Sequence, residues 1–375
     1  MHYDKQMKSK HLFIGLMSGT SADGIDAALV SFEDEKHYKI IEKSDTPFDK
    51  KLQQSIIAFN ESGDNELDRM GALDVKLGNA FADSVKALLK KAGLKNTDIS
   101  AIGSHGQTIR HSPNSTDSFT LQIGDPNIIA SKTGIKTVAD FRRKDLALGG
   151  QGAPLAPAFH QAIFRNTQQN RIILNIGGIA NITYLPKDQT QKVVGFDTGP
   201  GNSLMNAWAQ IHLNKAYDEN GTWAKSGTVL IDLLNTLLND PYFKKASPKS
   251  TGREYFHLNW LKKHLTGNEK PADVQQTLLQ LTVKSILIGA NSLCEAGEII
   301  VCGGGAHNET LMQTLGALAS PFSVLTSDKQ GVDPDSLEAI LFAWLAKQTL
   351  ENKPGNLPEV TGASRLAILG GLYYP

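Results

Sequence analysis

The residues best equipped for chemistry stand in a few short clusters of hydroxyls, glycines and carboxylates. Ser18-Gly19-Thr20-Ser21-Ala22-Asp23-Gly24 packs two glycines and three hydroxyls into seven residues. Such a loop can aim successive backbone N–H groups and hydroxyls at phosphate oxygens, with no side chain barring close approach. Asp23 or Asp26 can hold a Mg²⁺ there through water. Hairpin turns are also rich in Ser, Gly and Asp, but two residues suffice for a hairpin, so a loop this long points to function. Asp197, in Phe196-Asp197-Thr198-Gly199-Pro200-Gly201-Asn202, follows an apolar stretch. A carboxylate at the C-terminal end of a buried strand faces the crevice where α/β proteins bind ligands, and Asp197 is the first choice for a general base. Asn202 is the better N-cap for a helix beginning at Ser203, which leaves Asp197 for other work. Gly303-Gly304-Gly305 allow a flat ring or a phosphate to approach the backbone, with a helix N-terminus beyond to favour an anion. A tight strand-to-helix turn needs only one of the three.

Two further places stay open between chemistry and structure. Asp335-x-x-Glu338 fits a capping box, which explains Glu338 without any reaction. Yet Glu338 shares a helical face with Leu341, Phe342 and Leu345, and its carboxylate enters apolar surroundings. In Asp140-Phe141-Arg142-Arg143-Lys144-Asp145 the arginines suit bidentate binding of a carboxylate or phosphate, and a solvated charge run explains them equally well. Other chemistries are excluded by their missing motifs: there is no P-loop, no H-E-x-x-H, no G-x-S-x-G, and no complete G-x-G-x-x-G. His105, His111 and His160 lack metal-ligand spacing and read as ordinary polar or supporting residues. Cys294 and Cys302 read as small buried hydrophobes.

The scaffold that must position these groups is legible as alternating strands and helices. Apolar spacing predicts strands at Leu12–Leu16, Ile25–Phe32, Tyr38–Lys43, Ile99–Ser104 and Ile135–Ala139. Helices are expected over Lys50–Asn60, Glu66–Lys91 and Pro126–Lys132. The second half repeats the order, with strands at Arg171–Ile176, Ala180–Leu185, Lys192–Phe196, Glu298–Cys302 and Phe322–Thr326. Its helices are expected over Ser203–Leu213, Val229–Asn239, Ala272–Ala296, Glu309–Ala319 and Ser336–Leu350, before a Pro- and Gly-marked tail. A strand–glycine turn–strand–strand meander followed by helices and buried strands thus occurs twice, which points to a duplicated α/β unit with a ligand cleft between two lobes. A phosphate-grasping hairpin, a glycine turn and a strand-end aspartate together suggest an ATP-using enzyme.

Composition agrees. The chain has 375 residues, enough for two domains. Its 38 Lys+Arg balance 38 Asp+Glu, so there is no basic footprint for nucleic acid. Apolar runs are too short for a membrane span or a signal peptide, and two cysteines make no disulfide framework. A cytoplasmic protein handling a small ligand is expected.

Eight blocks, taken in order, carry a family resemblance: Gly15-Leu16-Met17-Ser18-Gly19-Thr20-Ser21, Ile102–Thr108, Val138-Ala139-Asp140-Phe141-Arg142, Gly149–Leu155, Asn175-Ile176-Gly177-Gly178, Phe196–Asn202, Pro248-Lys249-Ser250-Thr251-Gly252-Arg253-Glu254 and Val301–Gly305. From about residue 12 to the C-terminus the chain resembles the anhydro-N-acetylmuramic acid kinases. The first ten or so residues look like a short extension. The resemblance implies the two-lobed actin-like ATPase fold of the sugar kinase, Hsp70 and actin superfamily, an α/β architecture of duplicated RNase H-like units with an interlobe cleft. A first lobe over residues 1–145, to which the C-terminal tail can return, and a second over 146–375 are expected, with Gly149–Gly152 near the crossing. A homodimer is a candidate assembly.

The resemblance also implies ATP, Mg²⁺ and water acting on 1,6-anhydro-N-acetylmuramic acid, to give N-acetylmuramic acid 6-phosphate and ADP in peptidoglycan recycling. Asp197 then matches the catalytic base and Glu338 a substrate-site carboxylate, with Asp140 and Arg142 expected at the substrate and Arg142 on its lactyl carboxylate. Ser18, Gly19, Thr20, Ser21, Asp23, Gly24 and Asp26 match the ATP-phosphate segment, and Gly303, Gly304 and Gly305 are expected at the nucleotide. Many superfamily members begin the first hairpin with a metal-holding aspartate. Here Gly15, Leu16 and Met17 stand before the loop, so the Mg²⁺ carboxylate stays open. The rivals are an ordinary hexose or amino-sugar kinase, which needs no water, and a nucleotide-switched actin-like or Hsp70-like protein, which fold alone does not exclude.

Overall fold

A computed structural model describes residues 11–19, 21–59 and 61–375. Its strands, in chain order, are β1 (Leu12–Ser18), β2 (Gly24–Phe32), β3 (Tyr38–Pro47), β4 (Ala101–Ser112), β5 (Phe119–Ile123), β6 (Thr137–Ala139), β7 (Arg171–Ile176), β8 (Ile179–Leu185), β9 (Val194–Pro200), β10 (Glu298–Cys302), β11 (Ser323–Thr326) and β12 (Gly371–Tyr373). The chain forms two compact units. Unit 1 holds the described residues up to Ile163 together with Glu338–Pro375, and unit 2 holds Phe164–Leu337. Unit 1 therefore runs past residue 145, and the last helix returns to it along with the tail.

Each unit is built on the same strand order. In unit 1, β1, β2 and β3 form an antiparallel meander, and β4 and then β6 continue the sheet in parallel from β1. In unit 2, β7, β8 and β9 form the meander, and β10 and then β11 continue in parallel from β7. Parallel neighbours need long crossovers, and helices supply them. In unit 1 the helix Glu66–Ala92 buries Leu73, Leu77, Phe81, Val85 and Leu88, one stripe at steps of three and four. The α/β duplication expected from the repeated meander is present in both sheets.

The structure adds elements that alternation did not mark. β4 runs on to Ser112 and takes β5 as a hairpin partner, and β12 from the tail pairs antiparallel with β6. A helix over Ala156–Phe164 was also not anticipated. β9 continues through Asp197 to Pro200, so Asp197 lies within the strand, opposite Asn181, and does not follow it. The expectation at Asn60 lies outside the described residues.

One contact in unit 1 governs where its site residues stand. Gly15 of β1 and Gly103 of β4 are direct partners in the parallel register. The helix Leu337–Leu350 lies against both: a Cβ on Gly15 would collide with the Ala339 carbonyl, and one on Gly103 with the Phe342 carbonyl. The helix is buried from Ala339 through Gln348, apolar on nearly all sides, as an internal helix must be. Its closeness to the sheet fixes Glu338 in the first turn. A single methyl at Gly103 has nowhere to go, because its two nearest neighbours are backbone atoms of Phe342 and the third is the Ala346 Cβ. Gly103→Ala is expected to destabilise the fold by about 1–3 kcal/mol, the usual cost of overpacking, read as a lowered midpoint in thermal or urea unfolding.

Candidate active site

In unit 2, strand pairing and a crossing segment together set the position of Asp197. Its backbone N–H donates to the Lys249 carbonyl (3.0 Å), and the Tyr242 hydroxyl donates to its carbonyl (2.6 Å). The Thr251 N–H donates to one carboxylate oxygen, Oδ2, at 3.0 Å. Among the described residues the other oxygen accepts no hydrogen bond. Burial pushes the Asp197 pKa up to about 6; the Thr251 N–H opposes the shift, and the nearby Glu254 carboxylate adds to it. A half-buried carboxylate with one open oxygen and a pKa near neutrality is suited to taking a proton. Asn202 does not cap the next helix: its backbone is helical and its side-chain amide donates to the Ile176 carbonyl (3.0 Å). Asp197 is thus set apart by its strand and its single donor, and the capping argument for it falls away.

The glycine turn after β10 is required by packing at two of its three positions. Gly303 has φ +77°, and a Cβ there would meet the Asn175 side chain; a Cβ on Gly305 would meet Ile176. Only Gly304 has open space around it, with no atom nearer than Asn202 at 4.0 Å. A short 3-10 turn, Gly304–His307, intervenes before the helix Glu309–Leu318. That helix is capped by the Asn308 side chain, which accepts from the Leu311 N–H at 3.0 Å. One of the N–H groups of its first turn is therefore already taken from within the chain.

In unit 1, the Ser18–Gly24 loop divides between internal support and exposed groups. Ser18 is buried, its hydroxyl bonded with Gln107 Oε1 (2.6 Å) and the Gly24 carbonyl (2.9 Å), so it braces the hairpin. Gln107 Nε2 holds the Gly19 carbonyl (3.1 Å), and the Ala22 N–H donates to the same oxygen (3.1 Å). Ser21 donates to Asp23 Oδ1 at 2.8 Å, and both are exposed. Asp26 faces solvent from β2, paired with Met17 and Asp45. Asp23 and Asp26 are the exposed carboxylates of this segment, and Mg²⁺ takes only one or two carboxylates when phosphates supply its other oxygens. Among the described residues no three His, Cys, Asp or Glu side chains are grouped to hold a metal. Thr20 lies outside the described residues.

The charge run after β6 separates into four different fates. Asp140, in the left-handed region at φ +63°, binds Arg143 with both carboxylate oxygens (2.7 and 2.6 Å), so it is engaged within the run. Lys144 is exposed. Asp145 is wholly buried and accepts from the Gly152 N–H (2.8 Å), Asn356 Nδ2 (2.8 Å) and the Thr361 hydroxyl (2.9 Å), fastening the glycine loop to the C-terminal segment. Arg142 turns inward. Its guanidinium donates to the Gly152 carbonyl at 2.9 Å and to His105 Nε2 at 3.1 and 2.9 Å.

Arginine has no lone pair to offer, so His105 Nε2 must accept, and its Nδ1–H donates to the Gly106 carbonyl (2.9 Å). His105 is buried against the Phe342 ring, with centroids 4.7 Å apart. Burial, and then the Arg142 charge, hold its pKa well below the ordinary value, so it stays neutral. Burial lowers Arg142 to about 10, and the Glu338 carboxylate opposes the shift. Glu338 keeps solvent-exposed surface, yet the protein crowded around it raises its pKa, against the pull of Arg142. No direct ion pair joins the two among the described residues. Asp335 does not complete a capping box, because its carboxylate takes His307 Nε2 at 2.9 Å.

His105 and Asp145 were not singled out as site residues in the sequence. The only signal for either was a polar residue inside an otherwise apolar or charged block. His105 is expected to remain a neutral imidazole by NMR at about pH 6.5, where an unperturbed histidine is half protonated. Half-protonation at that pH would contradict its role as acceptor for the Arg142 guanidinium. Because the unfolded chain takes up the proton that the folded chain refuses, His105 should lower stability as pH falls below about 6.5.

The chain is similar over nearly its whole length to proteins of one family. The family model described as anhydro-N-acetylmuramic acid kinase matches residues 11–375. An anhydro-N-acetylmuramic acid kinase of Coxiella burnetii is 54% identical over 367 residues, covering 97% of this chain and 98% of that protein. One of Shewanella pealeana is 52% identical, covering 97% and 99%. A ROK family glucokinase from Streptomyces griseus, solved with glucose and AMPPNP, aligns with TM-score 0.40 at 13% identity over 90% of this chain and 99% of that one. With the family model matched over residues 11–375 and the Coxiella and Shewanella proteins more than half identical along nearly their full lengths, the chain belongs to the anhydro-N-acetylmuramic acid kinase family.

Proposed function

We propose that this protein uses ATP and water to open 1,6-anhydro-N-acetylmuramic acid and phosphorylate its O6, giving N-acetylmuramic acid 6-phosphate and ADP for peptidoglycan recycling. Family membership supports the kinase activity and the use of ATP. The observation that carries the chemistry is Asp197, with its raised pKa and one unoccupied carboxylate oxygen. Asp197 takes a proton from water as the water oxygen bonds to C1. The C1–O6 bond breaks, O6 bonds to the γ-phosphorus, and the bond to the β-phosphate oxygen breaks to release ADP. One base suffices, because the phosphoryl group traps the leaving oxygen that a glycosidase would have to protonate.

Arg142 is proposed to bind the lactyl carboxylate, oriented by His105 and Gly152, and Glu338 to hold the water or the sugar. Arg143 occupies Asp140, so a substrate role for Asp140 requires that pair to open. In the Ser18–Asp26 segment, Gly19, Ser21 and Gly24 are proposed at the ATP phosphates, with Ser18 supporting from beneath. Asp23 or Asp26 would hold Mg²⁺, which neutralises phosphate charge when bound. Gly304, the open position of its turn, is the proposed point of nucleotide contact. No helix among the described residues is long and apolar enough to cross a membrane, and a cytoplasmic, homodimeric enzyme is part of this reading.

Turnover is expected to fall as pH drops through about 6, because Asp197 must be ionised to act as a base. Asp197→Asn is expected to abolish ADP release driven by the anhydro sugar while leaving ATP-analogue binding intact. The carboxylate's folded pKa lies above its unfolded value, so the ionised form costs stability once pH rises past both. The Asn variant should therefore be more stable than the parent at pH 7, by up to about 3 kcal/mol. Near-normal turnover in this variant would overturn the assignment of the base.

A further inference from the structure

The segment Pro248–Glu254 meets Asp197 through the backbone of Lys249 and Thr251 and carries an arginine two residues beyond the second contact. We propose that Arg253 is a further catalytic residue, which binds the phosphoryl group as it passes from ATP to the sugar. This rests on the kinase reading above.

The geometry comes from three contacts within unit 2. First, the segment is tied to the base at two points, by the Asp197 N–H on the Lys249 carbonyl and the Thr251 N–H on the Asp197 carboxylate. Second, the Lys249 ammonium donates to the Tyr242 and Phe243 carbonyls (3.1 and 3.3 Å) and lies over the Tyr242 ring, which fixes the start of the segment. Third, the Arg253 guanidinium rests on the Gly177-Gly178 turn between β7 and β8. A Cβ on Gly178 would stand 2.9 Å from both Nε and Nη2 of Arg253, so the missing side chain makes the seat. The carbonyls of this turn are already taken by the N–H groups of Gly201, Asn202 and Ser203.

Arg253 is exposed, and no carboxylate among the described residues stands within ion-pair distance of it. Glu254 folds back over Gly252 instead, where a Cβ would meet its carboxylate. A planar, permanently charged fork, seated on glycine and lacking an anion, is the form arginine takes where it receives a phosphoryl group. Position supports this over a passive surface role. Ile179, beside the turn, pairs with Pro200, three residues along β9 from Asp197. That is about 10 Å of strand. A base, a water, the C1–O6 bond and a phosphorus in line span a similar distance when reacting atoms sit about 3 Å apart. The hairpin of β7 and β8 is also the counterpart, in the duplicated unit, of the β1 and β2 hairpin that carries the Ser18–Gly24 loop. Arg253 neither gives nor takes a proton in the step; it stabilises charge on the oxygens of the moving phosphoryl group.

The test uses the full-length enzyme, with wild type, Arg253→Lys and Arg253→Ala compared in a coupled ADP-release assay. Two substrates are used: the anhydro sugar with its lactyl group and the same anhydro amino sugar without it. Thermal midpoint and affinity for a non-hydrolysable ATP analogue serve as controls. Arg253→Ala is expected to lower kcat by 100-fold or more on both sugars, with the midpoint unchanged and analogue affinity within about threefold. Added guanidinium ion should restore part of the rate, and Arg253→Lys should fall between the two. Retained kcat would overturn the proposal. A loss confined to the lactyl-bearing sugar would also overturn it, by showing that the arginine binds the substrate carboxylate. Failure of the wild-type enzyme to release ADP with either sugar would instead overturn the kinase reading on which the proposal stands.

Discussion

Two glycines in register, Gly15 and Gly103, let the backbone of the helix Leu337–Leu350 lie directly on the sheet of unit 1. The tail of the chain is held to the first unit by that approach. It also places Glu338, His105 and Arg142 in one neighbourhood, because His105 packs on Phe342 of the same helix and holds Arg142. A side chain at either glycine would press against the helix that carries Glu338 and the Phe342 ring on which His105 packs. Unit 2 solves the same problem from the helix side: Gly289, in the helix Pro271–Asn291, approaches Thr198 and Ile182 of its sheet. Close helix-on-sheet packing is thus a shared constraint of the duplicated unit, satisfied by different glycines.

Within that frame, environment assigns different work to similar groups. Asp145 is fully buried and receives three hydrogen bonds, which makes it a fastening point for Gly152 and the C-terminal segment. Asp197 receives one, stands near Glu254, and holds its proton to about pH 6. Arg143 is spent on Asp140, whereas Arg142 is aimed by a neutral histidine and a carbonyl, neither of which cancels its charge. A carboxylate with spare capacity and an uncancelled guanidinium are the groups left for a reaction.

Much of the fold was legible because it rests on local patterns. The two meanders show as alternating apolar residues punctuated by glycine, and the long helices as stripes at steps of three and four. The short edge strands β5 and β12 were missed because their stability comes from the neighbours they pair with, β4 and β6, and not from their own sequence. Candidate site residues were legible as types but not always as roles. Asp197 stands out in the sequence by its place at the end of an apolar strand, while the supporting argument that Asn202 caps the next helix is contradicted by the Asn202 amide. Ser18 looked like a phosphate donor, yet its hydroxyl is turned inward by Gln107, 89 residues away in the chain. His105, Asp145 and Arg253 depend on partners brought together only by folding, so no spacing rule marks them. The glycines of Gly303-Gly304-Gly305 were read as three open positions, but two are demanded by Asn175 and Ile176.

The central claim is that water, not the sugar alone, is consumed as the anhydro bond opens and O6 is phosphorylated. Turnover in ¹⁸O-enriched water, quenched early and examined by mass spectrometry of the product, tests it most directly. The label is expected on the C1 hydroxyl, with none in the O6–phosphorus bridge. A product formed without ¹⁸O at C1, or carrying it in the phosphate ester, would contradict the role given to Asp197 and the coupling of ring opening to phosphoryl transfer.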